Sequence, residues 1–324
     1  MKKVTEFLKG HPILIIAVLC AIAPLCTNSI YLTHMIFMCM MYGILASSLN
    51  IAVGLTGLSN LAHATFFGIG AYAAAILSTR FHVPFYLTFF AGAIVAAVFG
   101  AALGAPTLRL RGVFLSLATV GFGQIMRIVE VNWVSLTRGP SGITGIGAAK
   151  IGSYRFSKLA YIYYGLLILV FCMYLTKRIM RSKMGRALFS IKYDETCAQS
   201  LGVNVTRYKV AAYVLSAALA GVAGTIYAHY ISFISPDSFT AADSTTILCM
   251  VILGGAGSLV GPVVGALILT IAPELFRFAD LWRIIFVGIV MVVGIIAQEN
   301  KWIDKVRYRI KQSKEKKTAK AGGE

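Results

Sequence analysis

The chain has 324 residues, of which 58% are hydrophobic and 13% are charged. Because a soluble domain carries roughly 25% charged residues, this composition excludes an ordinary soluble globular protein and indicates a polytopic helical membrane protein. The 30 lysines and arginines exceed the 12 acidic residues and give a net charge of +18. In a soluble chain this excess would suggest a nucleic-acid partner. Here a bias of positive charge toward cytoplasmic loops accounts for it, so we expect no nucleic acid.

Apolar blocks near the length of a membrane-crossing helix follow one another along the chain. We predict an all-α fold with about ten transmembrane helices, at 12–27, 30–49, 56–79, 84–105, 112–130, 159–177, 208–230, 243–256, 259–277 and 281–298. The first and the eighth are short for a full crossing, so a tilt, a break or a partial re-entry stays open for them. Residues 1–298 then form a single transmembrane domain in contact with membrane lipid, and 299–324 form a basic tail.

The positive charge predicts which loops face the cytoplasm. With the N-terminus inside and the sides alternating, the inside segments hold 22 of the 30 lysines and arginines; they are 1–11, about 50–55, 106–111, 177–209, the short loop near 257, and 299–324. The reverse orientation would place the most basic segments outside, against the positive-inside rule. We therefore expect both termini in the cytoplasm and the loop 132–158 on the outside.

Polar residues interrupt the apolar sequence between residues 54 and 72. If this stretch continues as one helix, Thr56, Asn60 and His63 fall at i, i+4 and i+7 and form one polar stripe. Polar groups in hydrocarbon are costly unless they pair with each other or face a water-filled cavity. Two interpretations stay open: these side chains are hydrogen-bonding contacts between helices, or they border a translocation path.

The fifth predicted span contains further polar residues. Thr119 and Gln124 are candidates for the wall of the same path, while Arg127 and Glu130, three residues apart, are expected to pair near the outer interface. The following loop, 132–158, is too long and too polar for a minimal connector. It is either a docking surface for an external partner or substrate, or an ordinary surface loop.

Acidic and glycine-rich sequence marks the last third of the chain. Asp243 precedes a short apolar run, where it is either a functional group at a broken helix or part of a helix N-terminal cap at the outer surface. Small residues let helix backbones approach closely in a membrane. On this basis we predict helix-packing roles for four glycines: Gly68, Gly257, Gly261 and Gly265.

The most basic segment within the apolar part of the chain is 177–209, with eight lysines and arginines and two acids. Such a segment has to lie in water, and its charge places it in the cytoplasm. Between Gly185 and Gly202 the pattern predicts one short amphipathic helix. We expect this helix to contact a cytoplasmic partner.

Motifs for catalysis and for cofactor binding are missing from the sequence. It contains no G-x-x-x-x-G-K-[ST], no H-E-x-x-H and no G-x-S-x-G, and its six cysteines form no C-x-x-C pair. We therefore predict no catalytic residue, no metal site and no cofactor bound by this chain. If the protein pumps a substrate, the energy comes from another subunit.

Seven stretches carry a resemblance that covers most of residues 30–298. They are GLTGLSNLAHA (54–64), LRGVFLSLAT (110–119), RGPSGITG (138–145), MGRAL (184–188), LGVNVTRYK (201–209), AALAGVAG (217–224) and GGAGSLVGP (254–262). In this order they closely resemble permeases of high-affinity branched-chain amino-acid ABC transporters, of the LivM type. Related permeases are assigned to urea, short amides or other amino acids, so these substrates stay open, and an ATP-independent channel or carrier is a further alternative.

The resemblance implies a heteromeric importer in the bacterial inner membrane. The expected partners are a homologous LivH-type permease, two cytoplasmic ABC ATPases that use ATP and Mg, and a periplasmic or extracellular substrate-binding protein. The coupling motif of such importers, Glu-Ala-Ala and then Gly after three residues, maps onto 196–198 and 202, although only the second Ala and the Gly match. We expect these residues to contact an ATPase: Gly185, Arg186, Asp194, Glu195, Ala198 and Gly202.

Overall fold

The structure is a computed structural model that describes residues 29–108, 110, 112–151, 154–275, 288 and 292. Helices dominate the described residues: α1 Ile30–Thr56, α2 His63–Arg80, α3 Phe85–Thr107, α4 Val113–Asn132, α5 Val134–Thr137, α6 Lys158–Arg181, α7 Lys183–Tyr193, α8 Glu195–Ser200, α9 Val205–Ile231, α10 Ala241–Gly254 and α11 Gly261–Leu275. The chain divides into two compact units, Met1–Thr270 and Ile271–Glu324.

Short strands and turns lie between the helices. The strands are β1 Ile143–Thr144, β2 Lys150–Ile151, β3 Tyr154–Arg155 and β4 Phe233–Ile234. Strand β1 pairs antiparallel with β4, and β2 pairs antiparallel with β3. Single 3-10 turns occupy Gly139–Ser141 and Pro236–Ser238.

Five of the described helices are long and apolar enough to cross a membrane: α1, α3, α4, α6 and α9. The prediction of a helical, multi-pass membrane protein is therefore confirmed at this level, and the number of ten spans stays a prediction. The predicted span 12–27 and the tail 299–324 lie outside the described residues, as does the span 281–298 apart from residues 288 and 292.

The first described helix runs further than the sequence predicts. A loop is expected at 50–55, but α1 continues to Thr56 and the chain is non-helical only from 57 to 62. Gly57 ends the helix because it adopts a left-handed conformation, with φ of 72°, and its N–H donates to the Val53 carbonyl at 2.9 Å. The predicted continuous polar stripe is therefore wrong: Thr56 ends α1, Asn60 lies in the break, and His63 begins α2.

Helix α9 lies at the centre of unit 1 and packs against α1, α2 and α3. Glycines bring the backbones into direct contact. A Cβ placed on Gly70 of α2 would lie 2.7 Å from the Gly221 carbonyl carbon, and one on Gly221 would lie 2.5 Å from the Gly92 carbonyl oxygen of α3. Such close approach increases dispersion contact between helices, for which lipid provides no hydrophobic driving force.

The four glycines predicted for helix packing have different neighbours. Gly68 lies against the ring of Phe239, and Gly257 lies beside the Gly54 carbonyl. The other two are in α11 and lie against the end of α10: a Cβ on Gly261 would be 2.7 Å from the Gly254 carbonyl carbon, and one on Gly265 would be 3.0 Å from the Gly254 nitrogen.

Loops at the two ends of the unit 1 helices form separate groups. At one end, which we call the basic end, Lys192 contacts Gly54 and the turn at Gly257 contacts Asn50. At the other end, the loop end, Arg127 pairs with Asp237 at 2.6 Å and strand β1 pairs with β4. Segments that the alternation of predicted spans assigns to the same side thus lie together. Arg127 was expected to pair with Glu130. This prediction is wrong, because the Arg127 guanidinium pairs instead with Asp237 from a distant turn.

Candidate functional site

The break between α1 and α2, residues 57–62, is largely buried in the bundle. Non-helical backbone at membrane depth persists only where its polar groups find partners in protein or water. Side chains from two other helices supply them here: Thr119 of α4 accepts from the Leu61 N–H at 3.2 Å, and Ser244 of α10 accepts from the Ala64 N–H at 3.0 Å. The break is therefore a defined structure that α4 and α10 stabilise.

Asn60 is the central side chain of the break and is buried. Its Oδ1 accepts from the Ala62 N–H at 2.9 Å and from the Tyr213 hydroxyl of α9 at 3.0 Å. Tyr213 is itself fully buried. The amide oxygen therefore joins the non-helical segment to the central helix of the unit.

His63 is the first residue of α2 and has 0% exposure. Its Nε2 lies 2.9 Å from Oγ of Ser48, whose hydroxyl donates to the Leu45 carbonyl at 2.9 Å. Which of the two groups donates depends on the tautomer of the ring, because the serine hydroxyl can turn toward either acceptor. Within the described residues Nδ1 has no hydrogen-bond partner. The ring thus presents an unsatisfied nitrogen in the interior, beside the break.

Three other residues that were predicted to border the path have different surroundings: Thr56, Gln124 and Asp243. Thr56 donates to the Ala52 carbonyl of its own helix and accepts from the Leu58 N–H at 3.3 Å. Gln124 lies on the exposed side of α4. Asp243 forms a capping box with Thr240 at the start of α10, accepting from its N–H at 2.8 Å. The structure therefore gathers Asn60, His63 and Thr119 around the break, while Asp243 is engaged in the helix cap.

We call the group around the break the break cluster; it comprises Ser48, Asn60, His63, Thr119, Tyr213 and Ser244. Sequence reasoning missed three of these residues, Ser48, Tyr213 and Ser244. Each lies in a helix that carries several polar residues, such as Ser47 and Asn50 beside Ser48 and Asp243 and Thr245 beside Ser244, so none of the three stood out in the sequence. The sequence does not show that they converge on one point.

The basic segment 177–209 forms two helices rather than the one predicted between Gly185 and Gly202. Helix α7 ends at Tyr193 and α8 begins at Glu195. Asp194 separates them because its carboxylate accepts from the N–H groups of Thr196, at 2.8 Å, and Cys197, at 2.9 Å. An aspartate in this N-cap position satisfies N–H groups that a continuous helix would bond internally.

Helix α8 packs on the rest of the protein through one small face. Ala198, with 2% exposure, lies in a cluster with Ile191 and Val205. Lys209 and Glu195 form a 2.9 Å ion pair whose side chains are 4% and 23% exposed. These contacts hold α7, α8 and the start of α9 together as one unit, which we call the coupling segment.

Of the residues predicted to contact an ATPase, only some face outward. Arg186 and Gly202 are exposed, whereas Gly185 and Ala198 are buried, and Asp194 and Glu195 bond within the segment. Two large side chains that the sequence did not single out are exposed instead: Tyr193 is 88% exposed and Leu201 is 78% exposed.

A cavity of about 560 Å³ opens between the coupling segment, the start of α4 and the break. Hydroxyl, charged and aliphatic groups line it, and this volume is in the range of small-molecule sites. The lining includes Thr56, Ser59, Val113, Ser116, Lys192 and Lys209. The cavity therefore connects the outer surface of the basic end to the edge of the break.

Comparison with known proteins decides the family. A profile of the family described as "Branched-chain amino acid transport system / permease component" matches residues 31–295. The chain belongs to this permease family. The resemblance read from the seven sequence motifs is thereby confirmed.

Curated relatives of the permease include proteins named LivM and LivH. The high-affinity branched-chain amino acid transport system permease protein LivM of Salmonella typhimurium is 34% identical over 298 residues, which are 85% of this chain and 70% of that protein. LivM of Escherichia coli strain K12 is 34% identical over 296 residues, or 84% and 70% of the two chains. LivH of the same Escherichia coli strain is 29% identical over 263 residues, or 72% and 81%. No solved structure matches the permease.

Because the chain belongs to a family of transport-system permeases, its buried polar groups can be interpreted in terms of transport. The permease is a multi-pass membrane protein related to components of transport systems. Within the described residues, no group of three or more His, Cys, Asp or Glu side chains is placed to hold a metal ion. The break cluster can donate and accept hydrogen bonds, and this is the chemistry that moving a polar solute through apolar helices requires.

Proposed function

We propose that this permease is the LivM-type transmembrane subunit of an ABC importer for branched-chain amino acids. The observation that carries the proposal is the 34% identity to two LivM proteins along most of the chain. The break cluster supports it, because buried polar side chains gathered at a non-helical segment of a membrane protein are typical of a transport site. Leucine, isoleucine or valine crosses without covalent chemistry, so the subunit has no catalytic site and binds no cofactor.

The translocation path in this proposal runs past the break. The free Nδ1 of His63 forms a hydrogen bond with the substrate or with a water molecule that accompanies it. Asn60 and Thr119 hold the non-helical backbone open toward the path, and Thr56 lies where the path meets the cavity at the basic end. Gln124 and Asp243 stay candidates for contacts elsewhere along the path.

Partner subunits complete the importer. A homologous LivH-type permease forms the other half of the path, which agrees with the 29% identity between this chain and a LivH protein. A substrate-binding protein delivers the amino acid at the loop end, where 132–158 lies. Two ATPases, which use ATP and Mg, bind at the basic end. The protein then lies in the inner membrane, with both termini in the cytoplasm.

ATPase contact is assigned to the outer surface of the coupling segment. Tyr193 and Leu201 are large apolar side chains on a segment that must lie in water, which is typical of a docking site. Arg186 adds charge complementarity to an acidic rim. Gly202 lets the chain turn after α8, and Asp194, Glu195, Gly185 and Ala198 shape the segment from within.

Reconstitution tests the proposal directly. The permease is placed in proteoliposomes with its LivH-type partner, the two ATPases and the binding protein, and uptake of labelled leucine is measured with and without ATP. We expect ATP-dependent uptake that unlabelled isoleucine and valine inhibit and urea does not. Uptake inhibited by urea alone would overturn the substrate assignment. Flux through the permease alone, without ATP, would identify a channel or carrier.

A further inference from the structure

Lys192 connects the coupling segment to the membrane helices. It lies one residue before the end of α7, and its Nζ donates to the Gly54 carbonyl in the last turn of α1 at 2.8 Å. The N–H that would bond this carbonyl in a longer helix belongs to Leu58, and it donates to Thr56 Oγ1 instead. Lys192 thus caps a free carbonyl at a helix C-terminus, where a positive charge also interacts favourably with the helix dipole.

Gly54 is also the point where a second break meets α1. A Cβ on Gly54 would lie 2.5 Å from the Gly257 nitrogen, and one on Gly257 would lie 3.5 Å from Lys192 Nζ. Asn50, one turn earlier in α1, accepts from the Gly257 N–H at 2.8 Å and donates to the Ser258 carbonyl at 2.8 Å. The turn between α10 and α11 is therefore fixed to the same part of α1 that Lys192 contacts.

These contacts place Lys192 between the coupling segment, the last turn of α1 and the turn that joins α10 to α11. On one side, its neighbour Ile191 packs in the cluster with Ala198 that joins α7 to α8. On the other side, Gly54 lies three residues before Gly57, where the break of 57–62 begins. A displacement of α8 can therefore reach both helix breaks through one charged side chain, because the Nζ of this otherwise exposed lysine bonds directly to the last turn of α1.

We propose that Lys192 is a positioning residue that transmits movement of the coupling segment to the breaks at 57–62 and 255–260. This inference rests on the proposed function, since it requires an ATPase that moves the segment. The hydrogen bond between Lys192 and the Gly54 carbonyl transmits the movement. When the coupling segment shifts, this bond brings the end of α1 from one arrangement to another. The Asn50 amide extends the same movement to the α10–α11 turn.

The test replaces Lys192 in the complete importer, reconstituted in proteoliposomes. Lys192→Met keeps the length of the side chain and removes the donor, and Lys183→Met in the same helix is the matched control, because Lys183 is exposed at the other end of α7. For each variant we measure leucine uptake, ATP hydrolysis and the amount of ATPase that co-purifies. Lys192→Arg keeps the positive charge and tests whether that charge restores leucine transport per ATP.

For Lys192→Met we expect normal ATPase co-purification, continued ATP hydrolysis and about tenfold less leucine transported per ATP, because one charge-assisted hydrogen bond is lost. Lys183→Met should keep the wild-type ratio of leucine transported to ATP hydrolysed, and Lys192→Arg should recover part of this ratio. An unchanged ratio in Lys192→Met, or an equal loss of uptake, hydrolysis and assembly, would overturn the inference. Absence of leucine uptake in the wild-type importer would instead refute the proposed function.

Discussion

The hydroxyl of Tyr213 donates to Oδ1 of Asn60 across 3.0 Å, and this bond joins the central helix α9 to the non-helical segment between α1 and α2. Both side chains are buried. Removing one partner of a buried bond costs more than removing both, because the remaining group is left without a partner in an apolar medium.

The two partners of this bond should therefore differ when each is replaced. Tyr213→Phe leaves Asn60 bonded to the Ala62 N–H, so we expect a loss of about 1 kcal/mol in stability. Asn60→Ala strands both the tyrosine hydroxyl and the Ala62 N–H, and it should cost about twice as much or more. Thermal unfolding of the purified permease in detergent measures both, with Tyr163→Phe, an exposed tyrosine of α6, as control. Equal losses for the two variants would contradict this account of the break.

Replacing His63 tests whether this residue borders the translocation path or only connects helices. We expect His63→Ala to lower ATP-dependent leucine uptake about tenfold, the effect of one lost polar contact in the path, while membrane insertion changes little. Ser48→Ala removes only the hydroxyl partner of Nε2 and serves as a comparison. Unchanged uptake in His63→Ala would return His63 to the role of a contact between helices.

The Lys209–Glu195 ion pair should stabilise the coupling segment. Because Lys209 is nearly buried and Glu195 is partly exposed, solvent weakens the pair, and we expect Lys209→Met to cost about 1–3 kcal/mol rather than the full cost of a deeply buried pair. The double variant Lys209→Met with Glu195→Gln should recover part of this loss, as a double-mutant cycle on thermal stability would show. Additive losses would mean that the two groups do not interact.

The exposed side chains beside α8 should carry the ATPase contact. Tyr193→Ser and Leu201→Ser should each lower ATPase co-purification about tenfold, the effect expected for an apolar residue at the centre of an interface. Phe233→Ser, which changes an exposed side chain at the loop end, should leave co-purification unchanged. If instead the variants lower binding of the permease to anionic vesicles and leave the ATPases bound, the surface contacts lipid rather than protein.

The backbone contact between α3 and α9 should tolerate no side chain. A Cβ on Gly221 would lie 2.5 Å from both the Gly92 carbonyl oxygen and the Ala96 Cβ, so Gly221→Ala has to push the helices apart. We expect a loss of about 1–3 kcal/mol, as for other overpacked interiors. Gly121→Ala in α4, where nothing lies within 4 Å of the added methyl, should be neutral or slightly stabilising. Similar stabilities of the two variants in thermal unfolding would contradict the packing described for α9.

Several properties of the permease were predicted from sequence because they depend on residues close together in the chain. Apolar blocks of membrane length predicted a multi-pass helical protein, and contiguous motifs predicted the family. Alternation of the predicted spans also predicted which loops lie at the same end, whereas the side that faces the cytoplasm stays a prediction from charge. Asn60, His63 and Thr119 could be selected as well, because a polar residue in an apolar helix is conspicuous without any structure.

Tertiary structure alone decided what the buried polar groups contact. The amphipathic pattern did not mark Gly57 as the end of α1 or Asp194 as the division of the coupling segment, although the capping hydrogen bonds of both are local in sequence. Nor could it show that Lys192 reaches a carbonyl 138 residues away, or that Ala198 faces inward while Tyr193 faces out. Composition and periodicity describe neighbours in sequence, whereas these contacts arise because packing brings distant helices within reach of a single side chain.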